Sequence, residues 1–238
     1  MKFARLSLVI ALIAALLLLA AGPGHRLDLW TFGTGFQMMR WAVYGGLAAA
    51  GLAVLFLLIP KTRRGNGAWL VPAIIIGGVT AWIPWQGLQQ ARAVPAIHDI
   101  STDTENPPEF RAVLPLRGEE ANPVDYEDPE VPEKQREAYP DIRPLELAAG
   151  PAAAFDRALA AAEAMGWEIV AAEPEAGRIE ATATTFWFGF KDDVVIRVTE
   201  TQAGSRIDMR STSRVGRSDV GANAERIRKY FKRLEGSR

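Results

Sequence analysis

The stretch RIEATATTFWFGFKDDVVIRVTETQAGSRIDMRSTS, residues 178–213, decides the fold of the second half of the chain. Three segments within it, 178–184, 194–199 and 206–213, place apolar residues at every second position. That period is typical of a strand with one buried face. Because short connections join the segments, they predict consecutive antiparallel strands. In this interpretation Asp192 and Asp193 are turn residues.

Outward from this stretch, the pattern extends the same domain in both directions. Residues 167–172 predict one more strand. Residues 151–166 and 219–234 each carry an apolar stripe at helical spacing. The order helix, four strands, helix predicts an α+β domain over residues 151–238. We expect a four-stranded antiparallel sheet with two helices on one face.

The other face of the predicted sheet is polar. It carries Glu180, Arg197, Arg206, Asp208 and Arg210. One interpretation is a solvated face with cross-strand charge pairs. The alternative is a ligand face that the proline-rich segment before residue 151 covers.

The first 92 residues predict an α-helical membrane region. Runs at 6–21, 41–59 and 68–85 contain no charged residue. At about 1.5 Å per residue they approach the hydrocarbon thickness of a bilayer. The sequence therefore predicts three transmembrane helices. The first run has an alternative interpretation as a signal peptide, but its cleavage signal is poor, so we favour an uncleaved anchor.

Basic residues set the expected orientation of these helices. Residues 61–64 (KTRR) carry three positive charges between the second and third runs, and Lys2 and Arg5 precede the first. Short basic loops remain in the cytoplasm. We therefore expect a bacterial inner-membrane protein with a cytoplasmic N-terminus, an outer segment at 22–40 and a periplasmic C-terminal domain. Ala42, Gly46 and Ala50 predict a seam of close helix packing.

Residues 93–150 predict a proline-rich acidic linker or extended segment. The range 95–151 contains ten of the fifteen prolines. Proline lacks a backbone donor and fixes φ, so long helices and central strands are disfavoured. Residues 110–114 predict one short strand, and residues 119–137 predict an extended or mobile excursion.

The inventory of reactive side chains is small. The chain has no cysteine and two histidines, His25 and His98. This excludes thiol chemistry and Cys-ligated metals, and it disfavours a multi-histidine metal site. The sequence predicts no metal site and no cofactor, and it identifies no catalytic residue.

A set of candidate binding residues nevertheless stands out. His98 and Asp103 lie in a polar cluster that is either a turn or, alternatively, the base and orienting acid of a hydrolase. The predicted corner between the last strand and the last helix gathers Arg214 with the start of that helix, a place suited to an anion. The candidates are His98, Asp103, Arg210, Arg214, Asp219 and Asn223.

Several sequence blocks together resemble the DUF1499 family over about residues 97–235. The blocks are 98–103 (HDISTD), 106–110 (NPPEF), 139–142 (YPDI), 166–167 (GW), 192–197 (DDVVIR), 213–216 (SRVG) and 219–223 (DVGAN). The resemblance implies a bacterial or plastid envelope protein. It implies no known reaction, so no catalytic residue is carried over.

Three hypotheses for the function follow. The first is an inner-membrane protein that displays a periplasmic binding or envelope-assembly module. The second is a membrane-anchored periplasmic hydrolase that uses His98 with nearby Asp103, Asp219 or Asn223. The third is a structural subunit of a membrane complex. The expected partners are the lipid bilayer and another envelope protein or an anionic ligand. Nucleic acid is not expected, because the part of the chain after residue 92 has a net charge of −8 and faces away from the cytoplasm.

Overall fold

The computed structural model describes residues 2–126 and 130–236. These residues form two compact units. The first contains residues up to 90 together with 186–189, and the second contains 91–185 and the residues from 190 onward.

Three long helices dominate the first unit. They are α1 (Lys2–Arg26), α2 (Phe32–Leu58) and α4 (Gly67–Ala93), and the short α3 (Pro60–Arg63) lies between the last two. All three are long and apolar enough to cross a membrane. The predicted runs lie inside these helices, except that Ile59 at the end of the second run follows α2. The expected outer segment at 22–40 is mostly helical, because α1 and α2 extend into it and leave only residues 27–31 between them.

Small residues bring α2 and α4 close together. A Cβ atom added to Gly46 would lie 2.7 Å from the carbonyl oxygen of Gly77, and one added to Gly77 would press on the backbone of Gly46 and on Ala50. Only residues without a large side chain permit such an approach. The predicted packing seam is therefore confirmed for Gly46 and Ala50.

The second unit contains an antiparallel sheet with six strands, so the prediction of four was wrong. The four predicted strands are β3 (Glu168–Glu173), β4 (Arg178–Thr184), β5 (Lys191–Thr201) and β6 (Gly204–Ser213). The sheet order is β1-β6-β5-β4-β3, and β2 also pairs with β6.

The two additional strands come from the proline-rich segment. They are β1 (Asp99–Ser101) and β2 (Leu145–Leu147), and both pair with β6. Each has only three residues, too few to show a recognisable alternation. The outer edge of β1 is closed by Gln135, whose buried amide accepts the N–H of Ser101 and donates to its carbonyl.

Two further expectations for this segment were wrong. Residues 110–114 form no strand, and a 3₁₀ turn occupies Leu114–Leu116 instead. Part of the expected excursion at 119–137 is helical, since α5 covers Glu130–Ala138. Residues 119–126 form no helix or strand, and residues 127–129 lie outside the described residues.

Two helices complete the unit, α6 (Pro151–Ala164) and α7 (Ala222–Gly236). Pro151 suits the first turn of α6. Gly166, with φ of 73°, follows the C-cap residue and prevents the helix from continuing. Buried residues of both helices belong to one apolar core with β4, β5 and β6. The core-facing strand residues are those of the predicted alternation: Ile179, Ala181, Ala183, Val194, Ile196, Val198, Ile207 and Met209.

Candidate functional site

The proline-rich segment covers the second face of the sheet. Phe110 and Val113 from this segment form a small apolar cluster with Val195 of β5. The buried carboxylate of Glu180 accepts the backbone N–H groups of Arg111 and Val113 at 3.0 Å. The expectation of a solvated face is therefore wrong. The proline-rich segment covers this face, as the alternative expected, and ligand binding there stays a prediction.

Arg210 is a central anchor of this cover. Its guanidinium donates to the Asp99 carboxylate from Nε at 3.0 Å and from Nη2 at 2.6 Å. It also donates to backbone carbonyls of the covering segment, those of Pro108 at 3.3 Å and Val124 at 2.6 Å. The guanidinium carbon lies about 5 Å from the ring centres of both Phe110 and Tyr126, which adds cation–π attraction. Arg210 therefore attaches the segment to the sheet.

Asp193 holds the next part of the segment. Its fully buried carboxylate accepts from Arg117 at 2.5 Å, from Arg214 at 2.8 and 2.9 Å, and from the Thr182 hydroxyl at 2.9 Å. Burial lowers the pKa of Arg117, while its ion pair with Asp193 opposes that shift. Asp193 is thus a strand residue of a buried ionic cluster, and the expectation that it lies in a turn was wrong.

Asp103 takes part in a third ionic cluster on the same face. Its carboxylate pairs with Arg206 at 2.8 Å and with Arg197 at 3.3 Å. Both arginines also pair with the buried Asp208. Three of the predicted binding residues, Asp103, Arg210 and Arg214, therefore lie on the covered face and are engaged in ion pairs.

Asp219 and Asn223 lie on the helix-bearing side instead. Asn223 is fully buried, and its amide donates to the His98 carbonyl at 2.9 Å and to the Ser213 hydroxyl at 3.1 Å. Asp219 accepts the N–H groups of Gly221 at 2.8 Å and of Asn223 at 2.7 Å, which caps the start of α7. Burial raises the pKa of the Asp219 carboxyl group.

The backbone at the corner before α7 is constrained, and an ion pair lies beside it. Val220 has φ of 55°, which is unusual for a β-branched residue. Arg226 of α7 pairs with the buried Asp192, which faces this side of the sheet and is not a turn residue either. The predicted anion patch is divided, because the Arg214 side chain binds Asp193 on the opposite face.

His98 contacts the corner before α7 through its backbone carbonyl. Its carbonyl accepts from Asn223, whereas its half-buried ring forms no hydrogen bond with another described residue. The Asp103 carboxylate binds arginines of the other face. In the part of the chain that the structure describes, no three His, Asp or Glu side chains come together as a metal site requires.

A polar cavity of about 250 Å³ opens at the edge of the covered face. It is lined by Asn106, Pro107, Pro108, Glu109, Arg111, Ala176, Arg178, Val195 and Arg197. Three arginines thus line one small space. We did not expect Arg111 or Arg178 to be site residues, and Arg197 was expected only as part of a polar face.

Two of these arginines are cross-strand neighbours on the same face of the sheet. Arg178 of β4 and Arg197 of β5 are directly opposite in the strand register. Like charges in this position are destabilising unless other groups offset them. The buried carboxylates of Glu180 and Asp208 offset part of this repulsion, because they pair with the arginines. Neither carboxylate lines the cavity.

The three guanidinium groups have N–H donors that no described residue accepts from. Arg178 contacts carboxylates through Nη2 and Nε, and Arg197 binds its partners through Nε and Nη2. Arg111 uses Nη2 toward Glu109. The Nη1 group of each arginine forms no hydrogen bond with another described residue. Such an arrangement can bind a carboxylate, phosphate or sulfate group through several charge-assisted hydrogen bonds.

Comparison with known proteins bears on the second unit. The chain matches no curated protein and no solved structure. The model of one family, described as a protein of unknown function (DUF1499), matches residues 99–234, which is more than half of the chain. The matched region includes β1, the covering segment, the whole sheet and most of α7. The chain therefore belongs to the DUF1499 family and adds to it, at the N-terminus, three helices long enough to cross a membrane.

Proposed function

We propose that this protein is a membrane-anchored binding module that captures a small anion in the cavity of Arg111, Arg178 and Arg197. The observation that carries the proposal is that three arginines line one cavity of about 250 Å³. Ligand cavities for drug-sized molecules measure roughly 300–1,000 Å³. The smaller volume suits a single phosphate, sulfate or short dicarboxylate.

The charge distribution around the cavity supports this proposal. Two buried carboxylates pair with these arginines: Glu180 lies 3.4 Å from Arg178, and Asp208 lies 3.0 Å from Arg197. The Nε atom of Arg178 is buried and has no hydrogen-bond partner among the described residues, although Glu180 lies 3.4 Å away. A bound anion would accept hydrogen bonds from the Nη1 groups, which form none with the described residues.

For the location of the module, we propose a bacterial inner membrane with the sheet domain on the periplasmic side. The support is the basic loop after α2, which contains Lys61, Arg63 and Arg64. Such a loop remains in the cytoplasm. An odd number of spans between a cytoplasmic N-terminus and the second unit then delivers that unit to the other side.

Two exposed side chains give a sharp test of anion binding. Arg111 and Glu109 are 62% and 78% exposed, they line the cavity, and they carry opposite charges. We expect Arg111→Gln to weaken binding of phosphate or succinate and Glu109→Gln to strengthen it. Each change should reach at most about fivefold, because exposed charge contacts contribute roughly 0.2–1 kcal/mol.

The measurement is isothermal titration calorimetry of the full chain in nanodiscs, with phosphate, sulfate and succinate as separate titrants. Arg143→Gln is the matched control, since Arg143 is exposed and lies outside the cavity. Binding should also weaken at higher ionic strength. Absence of binding by all three anions, or equal affinity in the Arg111 and Glu109 variants, would refute the proposal.

A further inference from the structure

A second cavity, unrelated to the arginine cavity, lies among the membrane-type helices. It measures about 680 Å³ and is formed by α2 and α4. Its walls include Tyr44, Leu47, Trp82, Trp85 and Leu88. Among the described residues that line it, Arg40 alone carries a formal charge. It is therefore an apolar groove with one cation.

The groove has the depth of one lipid leaflet. Along α4 its lining runs from Gly78 to Leu88, ten residues apart. At 1.5 Å per residue this corresponds to about 15 Å. The hydrocarbon core of a bilayer is about 30 Å thick, so each leaflet contributes about the same 15 Å.

The cation lies at the end of the groove that a headgroup would occupy. Arg40 stands nearer the start of α2, whereas the basic residues 61–64 follow the opposite end of that helix. The Arg40 side chain is exposed and its guanidinium forms no ion pair or hydrogen bond with another described residue. Trp85 lines the same end, and tryptophan favours the membrane–water interface.

We propose that this groove binds one anionic phospholipid. Its phosphate contacts Arg40, and one of its acyl chains lies along the apolar wall toward Leu47 and Gly78. Two features favour a lipid over a partner helix: the single unpaired cation at headgroup level and the depth of one leaflet rather than two. The inference rests on residues other than those of the arginine cavity, so each proposal can fail without the other.

The chain offers a matched pair of variants that test this groove. Gly78 lines it, and a Cβ atom added there meets no heavy atom within 4 Å. A side chain can therefore start at Gly78 without a clash at Cβ, and we expect the ring of Gly78→Phe to occupy the groove. Gly51 on α2 is equally open but does not line the groove, so Gly51→Phe is the control.

The experiment is native mass spectrometry of the full chain released from nanodiscs that contain equal amounts of phosphatidylglycerol and phosphatidylcholine with the same acyl chains. We expect one retained phosphatidylglycerol in the wild type and in Gly51→Phe. Arg40→Gln should reduce the preference for phosphatidylglycerol about fivefold, since a basic residue near the surface contributes about 1 kcal/mol. Gly78→Phe should lose both lipids, and Arg63→Gln should retain the preference.

Three outcomes would overturn the proposal. The first is equal retention of both lipids by the wild type. The second is full lipid retention by Gly78→Phe. The third is a protein dimer that carries no lipid in the wild type and is lost in Gly78→Phe, which would assign the groove to a helix of a second copy.

Discussion

Replacement of Arg210 by methionine is expected to lower the free energy of unfolding of the sheet domain by about 3–5 kcal/mol. The Arg210 side chain is 4% exposed and that of its partner Asp99 is 10% exposed. Methionine fills much of the volume but cannot donate, so the Asp99 carboxylate is left buried without its cation. The carbonyls of Pro108 and Val124 lose donors as well. The loss of a buried partner costs far more than the pair contributes net.

The measurement is hydrogen exchange of the full chain, followed by mass spectrometry of peptides that cover residues 105–126 and 204–213. Arg228→Met is the control, because Arg228 and Asp141 are 38% and 53% exposed and their pair should change stability by less than about 1 kcal/mol. The double variant Arg210→Met with Asp99→Asn should recover part of the loss, since it no longer buries a lone charge. Unchanged exchange at 105–126 in Arg210→Met would show that Arg210 does not secure the covering segment.

This anchoring role also explains what the sequence could and could not predict. The four longer strands alternate clearly, because one face of each packs on the helices. The three-residue strands β1 and β2 pair with β6 across a large sequence separation, as in Ser101 opposite Arg210. No local periodicity reports such a pairing. The expectation of four strands failed for this reason.

The charged residues were misinterpreted for a related physical reason. A polar sheet face normally indicates solvent, but here each buried charge has a partner on the covering segment or a neighbouring strand. Asp192 and Asp193 were assigned to a turn because residues 191–193 precede the predicted strand at 194–199 as a hairpin-like connection. Two adjacent acids in a strand must instead point to opposite faces. They do so, and each face supplies arginines: Arg226 for Asp192, and Arg117 with Arg214 for Asp193.

The sequence could predict only part of the arginine cavity. Once β4 and β5 are paired in their observed register, Arg178 and Arg197 face each other. An alignment of residues 178–184 with residues 191–197 as a hairpin reveals this like-charge pair from the sequence. Arg111 comes from irregular backbone whose position depends on the bonds of its amide and that of Val113 to Glu180, so no pattern in the sequence places it there.

Alkaline phosphatase fused after residue 95 is expected to be active, and the same enzyme fused after residue 65 is expected to be inactive. The enzyme works only on the oxidising outer side of the inner membrane, where its disulfides form. Residue 65 follows the cluster of Lys61, Arg63 and Arg64, which favours the cytoplasm, and residue 95 follows the third apolar helix. Comparable amounts of both fusions must be shown by immunoblotting before their activities are compared.

A variant of the basic loop tests the physical cause of this orientation. Changing Lys61, Arg63 and Arg64 to glutamine removes the strongest cytoplasmic signal, while Arg26 and Arg40 remain near the other ends of α1 and α2. We expect the activity of the residue-65 fusion to rise and that of the residue-95 fusion to fall, because the remaining charges no longer favour one side clearly. High activity at residue 65 in the unaltered chain would place the arginine cavity in the cytoplasm. Its anion would then come from the cytoplasmic pool, whereas the proposed periplasmic orientation requires one that reaches the envelope.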